Sequence, residues 1–185
     1  MNRPTWSSIF PIALVLAVAT YGLWTLRGDS DSAGQPAASI SASGLTYGSL
    51  ADLAGAADLV VDGTIVAVDD GRIITDPADP TAGFSTALFQ LDVAHVLIGA
   101  PTDTVIIEQE AALLDGTRIE VNGLRANRVG DSGIWFLVRG PDDVPYMAIV
   151  NEQGRLLVDG AGSITSALLD RPASIAAIRQ QLITR

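Results

Sequence analysis

Cysteine and lysine are both absent from this chain of 185 residues. Without cysteine, the chain cannot form a disulfide scaffold, a thiolate zinc site, a cysteine nucleophile or a lipidated N-terminal cysteine. Without lysine, it cannot form the glycine-rich loop whose lysine binds nucleotide phosphates. Histidine occurs once, at His95, which excludes a metal site built from several histidines.

Positive charge is scarce as well. The 11 basic residues are all arginine and stand against 21 acidic residues, so the formal net charge is −10 at pH 7. An acidic surface repels phosphate backbones and anionic lipid headgroups. Nucleic acid is therefore not an expected partner.

The N-terminal segment, residues 1–27, is apolar. No charge lies between Thr5 and Leu26, and a run of about 20 such residues can cross a bilayer as a helix. Two interpretations remain open. We favour a retained transmembrane signal-anchor, because the apolar run continues beyond the cleavage-like pattern Ala17-Val18-Ala19; the other is a cleaved signal peptide. The first predicts a single-pass cell-membrane protein with an extracytoplasmic domain, and the second a secreted protein.

Two further parts follow this segment. Residues 28–44 are rich in Gly, Ser and Ala and lack a hydrophobic period, which predicts a flexible linker. Residues 45–185 suffice for one domain with its own core. We expect a short helix capped by Ser49 at its start and a better C-terminal helix over Pro172–Thr184. A further short helix is predicted over Ser163–Leu169.

Apolar, β-branched runs between these helices predict a mainly β domain. The run Leu59–Val68 is apolar on both faces and is expected to be the central strand of a closed sheet. A turn at Asp69–Gly71 and an exposed loop at Asp76–Pro80 should follow, and the Asn122-Gly123 pair predicts a hairpin turn. The expected strands are 59–68, 84–97, 104–109, 134–138, 146–150 and 155–158, with a short extension at 72–74.

Several segments, in this order, resemble a class of extracytoplasmic bacterial modules and, more distantly, the netrin-like domains of tissue inhibitors of metalloproteinases. They are Ser49–Leu53, Ala57–Ile65, Leu91–Gly99, Val129–Leu137 and Gln153–Arg155. The resemblance implies an OB-like barrel of five to six strands. The inhibitors clamp their N-terminus with cysteines, which this chain lacks, so protease inhibition by that route is not expected.

Reactive groups are few. A Ser-His-Asp arrangement would need His95 as its base and, from the Gly-Asp-Ser-Gly string, Ser132 as its nucleophile. The simpler interpretation is a hydrogen-bonded histidine near a strand end and a surface serine. The acidic pairs Asp69-Asp70, Asp76 with Asp79, and Asp142-Asp143 could bind Ca²⁺, but none follows the Ca²⁺-loop spacing.

The segment Glu110–Asp131 carries the densest positive charge in an otherwise acidic domain. Arg118, Arg125 and Arg128 are therefore the candidate partner surface. We expect a non-catalytic, membrane-tethered, extracytoplasmic interaction module without cofactor or metal, with an envelope protein as the possible partner. The alternatives are a small envelope hydrolase and a Ca²⁺ module held by carboxylates. The C-terminal helix should pack its apolar face on the barrel; otherwise it offers that face to a partner.

Overall fold

The computed structural model describes residues 38–40, 45–100, 102–140 and 144–184, which belong to one structural unit. The predicted membrane or signal segment at 1–27 lies outside the described residues, as do most of the predicted linker and the Asp142-Asp143 pair. In the described part of the chain, no helix is long and apolar enough to cross a membrane.

Strands dominate the described residues, and a helix lies near each end of the domain. This confirms the predicted mainly β fold and both terminal helices. In chain order the elements are β1 (Ala38–Ile40), α1 (Leu50–Ala56), β2 (Leu59–Asp76), β3 (Asp79–Ile98), β4 (Thr104–Leu113), β5 (Ile119–Val121), β6 (Ser132–Arg139), β7 (Met147–Ile149), β8 (Arg155–Leu157) and α2 (Ile175–Ile183).

The main sheet is built around β2. Over Leu59–Thr64, β2 pairs antiparallel with β6, and from Val60 onward its other edge pairs antiparallel with β3. The pairing continues from β3 to β4, from β4 to β7 through one parallel pair, and from β7 to β6. The series of pairings therefore returns to β2, while β8 pairs with β6 and β1 pairs in parallel with β5.

Two buried clusters lie on opposite faces of β2 and β6. Trp135 and Leu137 belong to one cluster, and Ile134 and Phe136 to the other, as the alternation of side chains along a strand requires. These four side chains are fully buried, which confirms the predicted buried strand. The second cluster includes the apolar faces of α1 and α2.

The C-terminal helix packs against the sheet, as expected. Ser174 caps its N-terminus by accepting a hydrogen bond from the Ala177 N–H, so the helix begins at Ile175 and not at Pro172. Ile178 and Leu182 are buried with Leu53 of α1. This face is thus occupied within the domain.

The predicted turn at Asp69–Gly71 is wrong, because β2 continues to Asp76. A register shift against β3 between Asp70 and Ile73 absorbs the irregular segment, and the Arg72 N–H donates to the Thr86 hydroxyl at 2.7 Å. The loop prediction at Asp76–Pro80 is also wrong in extent. Only Pro77 and Ala78 turn, and Pro80 is accommodated near the start of β3.

Two other local predictions fail. Ser163–Leu169 contains turns and no helix, because Ile164 is buried and exchanges backbone hydrogen bonds with Ala173 at 2.8 and 3.0 Å. Within the predicted linker, Ala38–Ile40 forms β1. That strand pairs with β5, a partner that the local composition could not reveal.

Gly63 and Gly133 face each other across the β2–β6 pair. A Cβ on Gly63 would collide with the Asp92 carbonyl oxygen on β3. We expect Gly63→Ala to lower the free energy of unfolding by about 2–3 kcal/mol, because the backbone must move to relieve the overlap. Urea unfolding followed by circular dichroism measures it.

Gly55, in α1, provides the matched control, since a Cβ there meets open space. Gly55→Ala should raise the free energy of unfolding by about 0.5–1 kcal/mol, because alanine favours the helix. Equal effects of the two substitutions would contradict the close strand packing at Gly63.

Candidate functional site

A groove of about 270 Å³ opens where the pairing of β4 with β7 stops. One wall is Glu108–Glu110 of β4, and the opposite wall is the segment 148–152, which contains the end of β7. Val121, Asn122 and Leu124 complete the lining. The groove therefore lies between two strand ends and a turn.

The turn that borders the groove follows from its sequence. Asn122 and Gly123 both have positive φ, at 51° and 74°, the conformation that an Asn-Gly hairpin turn requires. Val121 and Leu124 exchange backbone hydrogen bonds at 3.2 and 2.8 Å. This confirms the predicted hairpin turn and places part of the Glu110–Asp131 segment at the groove.

Every charged side chain that lines the groove is acidic. Glu108 accepts two hydrogen bonds from the Arg72 guanidinium, both at 2.8 Å, and one from the Thr86 hydroxyl. Burial alone would raise the pKa of Glu108, but these hydrogen bonds and the charge of Arg72 hold it below its ordinary value. The charge of Glu108 is thus balanced inside the domain.

The other two carboxylates are not balanced in this way. Glu110 is exposed, and no hydrogen bond or ion pair within the described part of the chain engages its side chain. Glu152 accepts one hydrogen bond from the Asn122 amide at 3.3 Å. The groove therefore carries negative charge that no arginine of its lining offsets.

The three candidate arginines occupy different environments. Arg125 forms two hydrogen bonds to the Asp131 carboxylate at 2.8 Å, and the backbone N–H of Arg128 donates to the same carboxylate at 2.9 Å. Arg118 lies elsewhere, where its carbonyl accepts a hydrogen bond from Ala38 of β1. Arg125 is half-buried and paired with Asp131, whereas Arg118 and Arg128 are exposed. That these residues contact a partner stays a prediction.

The Arg125–Asp131 pair is partly buried, with 31% and 13% of the two side chains exposed. Burial would raise the pKa of Asp131, but the hydrogen bonds from Arg125 and the Arg128 backbone, with the charges of Arg125 and Arg155, hold it below the ordinary value. The hydrogen bond to Asp131 likewise raises the pKa of Arg125. The pair is therefore ionised at neutral pH and fastens the start of β6.

Beside this pair lies a buried polar cluster that the sequence did not reveal. Arg155 donates to the Asn127 side-chain oxygen at 2.7 Å, and the Asn127 N–H donates to the Gln109 side-chain oxygen at 3.1 Å. Burial and the nearby charge of Arg125 lower the pKa of Arg155 to about 10. The residues of this cluster come from three separate segments of the chain, so no local sequence pattern could predict it.

A second internal cluster joins β2, β3 and α2. Asp62 is buried, with 4% of its side chain exposed, and lies 3.3 Å from the Arg179 guanidinium. His95 Nδ1 lies 3.0 Å from the other oxygen of Asp62 and 2.7 Å from Arg179. The interpretation of His95 as a hydrogen-bonded histidine is confirmed. Its single Nδ1 can either donate to Asp62 or accept from Arg179, according to the tautomer.

Within the residues that the structure describes, the groups that a hydrolase or a Ca²⁺ site would need are not brought together. The Ser132 hydroxyl is hydrogen bonded to the Thr64 hydroxyl at 2.7 Å, and no hydrogen bond within the described residues joins Ser132 to His95. Among those residues, no three His, Asp or Glu side chains form a group that could hold a metal ion. The described residues therefore support neither alternative, and Asp142-Asp143 lies outside them.

Neither a scan against models of protein families nor a search of curated proteins finds a match to the chain.

Arg179 neutralises the buried carboxylate of Asp62. We expect Arg179→Ala to lower the free energy of unfolding by about 2–3 kcal/mol, because it leaves that carboxylate without its cation. Thermal and urea unfolding of the full chain measure the effect. Arg171→Ala removes an exposed arginine and should change stability by less than about 0.5 kcal/mol. Equal losses would show that the Asp62 contact is not stabilising.

The pH dependence of the free energy of unfolding tests the Arg125–Asp131 pair. Because the pKa of Asp131 is lower in the folded state than in the unfolded chain, its ionisation stabilises the fold above the unfolded pKa. That contribution disappears as the pH falls through the folded-state pKa. Between about pH 4.5 and about pH 2.5, the urea midpoint of Asp131→Asn should therefore fall less than that of the original protein. An identical fall in both proteins would contradict this assignment.

Proposed function

We propose that the chain is a non-catalytic, membrane-tethered binding module outside the cytoplasm, and that the groove between β4 and β7 is its binding surface. The carrying observation is the groove itself, bounded by two strand ends and a hairpin turn. Its lining contains acidic, amide and aliphatic side chains. It contains no serine, threonine, cysteine or histidine, so a nucleophile of the hydroxyl, thiol or imidazole type is absent from the lining.

The proposed scaffold is an OB-like barrel. Support comes from the cyclic pairing of β2, β3, β4, β7 and β6, and from the weak β4–β7 junction, which consists of one residue pair. An OB-fold is a five-stranded, partly open barrel that binds ligands on one face and its adjoining loops. The groove lies beside the single β4–β7 pair, where the proposed barrel is open, and next to the Asn122-Gly123 turn.

The proposed location rests on the N-terminal sequence. The uncharged run Thr5–Leu26 is long enough for a membrane-spanning anchor. With that segment as a signal-anchor, the domain is held on the extracytoplasmic side of the cell membrane. A cleaved signal would give a secreted domain with the same groove.

Site-specific crosslinking in the cell envelope tests this function. We expect a photo-crosslinking amino acid in place of Leu124, which lines the groove, to give a discrete adduct with one envelope protein, identified by mass spectrometry. The control position is Leu114, which belongs to the same segment but lies outside the lining and is 40% exposed. No adduct at Leu124, or the same adducts from both positions, would count against the groove as a binding surface.

A further inference from the structure

The groove occupies the place where a continued β4–β7 pairing would lie. The two strands are parallel and pair only at Ile107 and Met147. Continuation of the parallel ladder would set each residue of Glu108–Glu110 beside one of Ala148–Val150. Those two segments instead form opposite walls of the groove. The sheet is thus split, with a strand edge on either side.

The backbone of β7 has N–H and C=O groups that face this split. Val150 N–H donates to the Phe136 carbonyl of β6 at 3.0 Å, and Gly140 N–H donates to the Tyr146 carbonyl at 3.0 Å. Successive residues of a strand direct their backbone groups to alternate sides. The N–H and C=O of Ile149 therefore point away from β6, toward the groove. A strand edge of this kind is a template for pairing with another extended chain.

The charges around the groove indicate which side chains a bound extended peptide would carry. Glu110 and Glu152 contribute negative charge that no arginine of the lining balances, whereas Glu108 is held by Arg72. Aliphatic surface lies beside them, on Val121, Leu124 and Ile149. Carboxylates next to aliphatic surface suit lysine or arginine, whose long stems pack while their charged ends reach the carboxylates.

We propose that the groove binds an extended, lysine- or arginine-bearing peptide segment of a partner protein, which adds a strand in the split between β4 and β7. This inference rests on the proposed binding function and names its ligand class. Main-chain pairing supplies affinity in this mode, and the side chains supply specificity. A groove of about 270 Å³ suits a short segment better than a folded surface.

Fluorescence anisotropy with short synthetic peptides tests the ligand class on the full-length protein in detergent. The probes are peptides of about six residues, a usual strand length, with alternating lysine and threonine or alternating glutamate and threonine. We expect the lysine peptide to bind at least about tenfold more tightly than the glutamate peptide, with affinity falling at higher salt. A proline at the centre of the lysine peptide should abolish binding, because proline lacks the N–H that strand pairing requires.

Variants locate the contact. The double variant Glu110→Gln with Glu152→Gln should weaken binding of the lysine peptide by about tenfold, since two carboxylate contacts are lost. The matched control is Asp103→Asn with Asp170→Asn, which removes the same charge from exposed positions outside the groove and should leave affinity within about twofold. Unchanged unfolding midpoints would show that each variant is folded.

The outcomes separate this inference from the function on which it rests. Equal affinity for the two peptides, or equal losses in the two double variants, overturns the cationic ligand. Tight binding of the proline peptide overturns strand addition. In either case, a Leu124 adduct in the envelope would still support the binding function, and the absence of that adduct would remove the function itself.

Discussion

The structure depends on one constraint at the start of β2: the segment Leu59–Thr64 is hydrogen bonded along both edges and covered on both faces. A strand in this position tolerates little. Gly63 pairs with Gly133 of β6, and neither position accepts a side chain, because a Cβ would collide with the Asp92 carbonyl of β3 or with the Leu156 carbonyl of β8. Asp62, as a buried carboxylate in the same segment, requires a cation, which α2 provides with Arg179. The position of the C-terminal helix is thereby coupled to the central strand by charge as well as by apolar packing.

On the side of the domain where β4 and β7 meet, the sheet is instead weakly paired. Along its second edge, β6 is shared by two short strands: β8 pairs near Ile134, and β7 pairs near Val138. The hairpin between them, held by a Gly154 N–H to Asn151 carbonyl hydrogen bond of 2.9 Å, interrupts what would otherwise be one long strand. β7 pairs with β6 at all three of its residues but with β4 at one, Met147, and the sheet opens beyond that pair. The groove thus forms at the β4–β7 junction, which is the junction farthest from β2 in the pairing order.

Local sequence patterns predicted the features that depend on neighbours in the chain. The cap at Ser49, the Asn122-Gly123 turn and the doubly buried β6 each carry their signal within a few residues. The features that failed or were missed depend on distant partners. Asp69–Gly71 reads as a turn, but β3 pairs with it and keeps it extended. The Asp62–Arg179 contact joins residues from opposite ends of the domain, and the groove exists only because β4 and β7, far apart in sequence, separate after one pair.

The use of arginine connects composition to function. The domain contains few cations, and several are used in internal contacts: Arg72 with Glu108, Arg125 with Asp131, Arg155 with Asn127 and Arg179 with Asp62. A planar guanidinium can donate two parallel hydrogen bonds to one carboxylate, as Arg72 and Arg125 do, which a lysine cannot reproduce. These contacts withdraw positive charge from the surface. Glu110 and Glu152 at the groove are then left without cations of their own, and this imbalance is the physical reason for expecting that a ligand brings the positive charge.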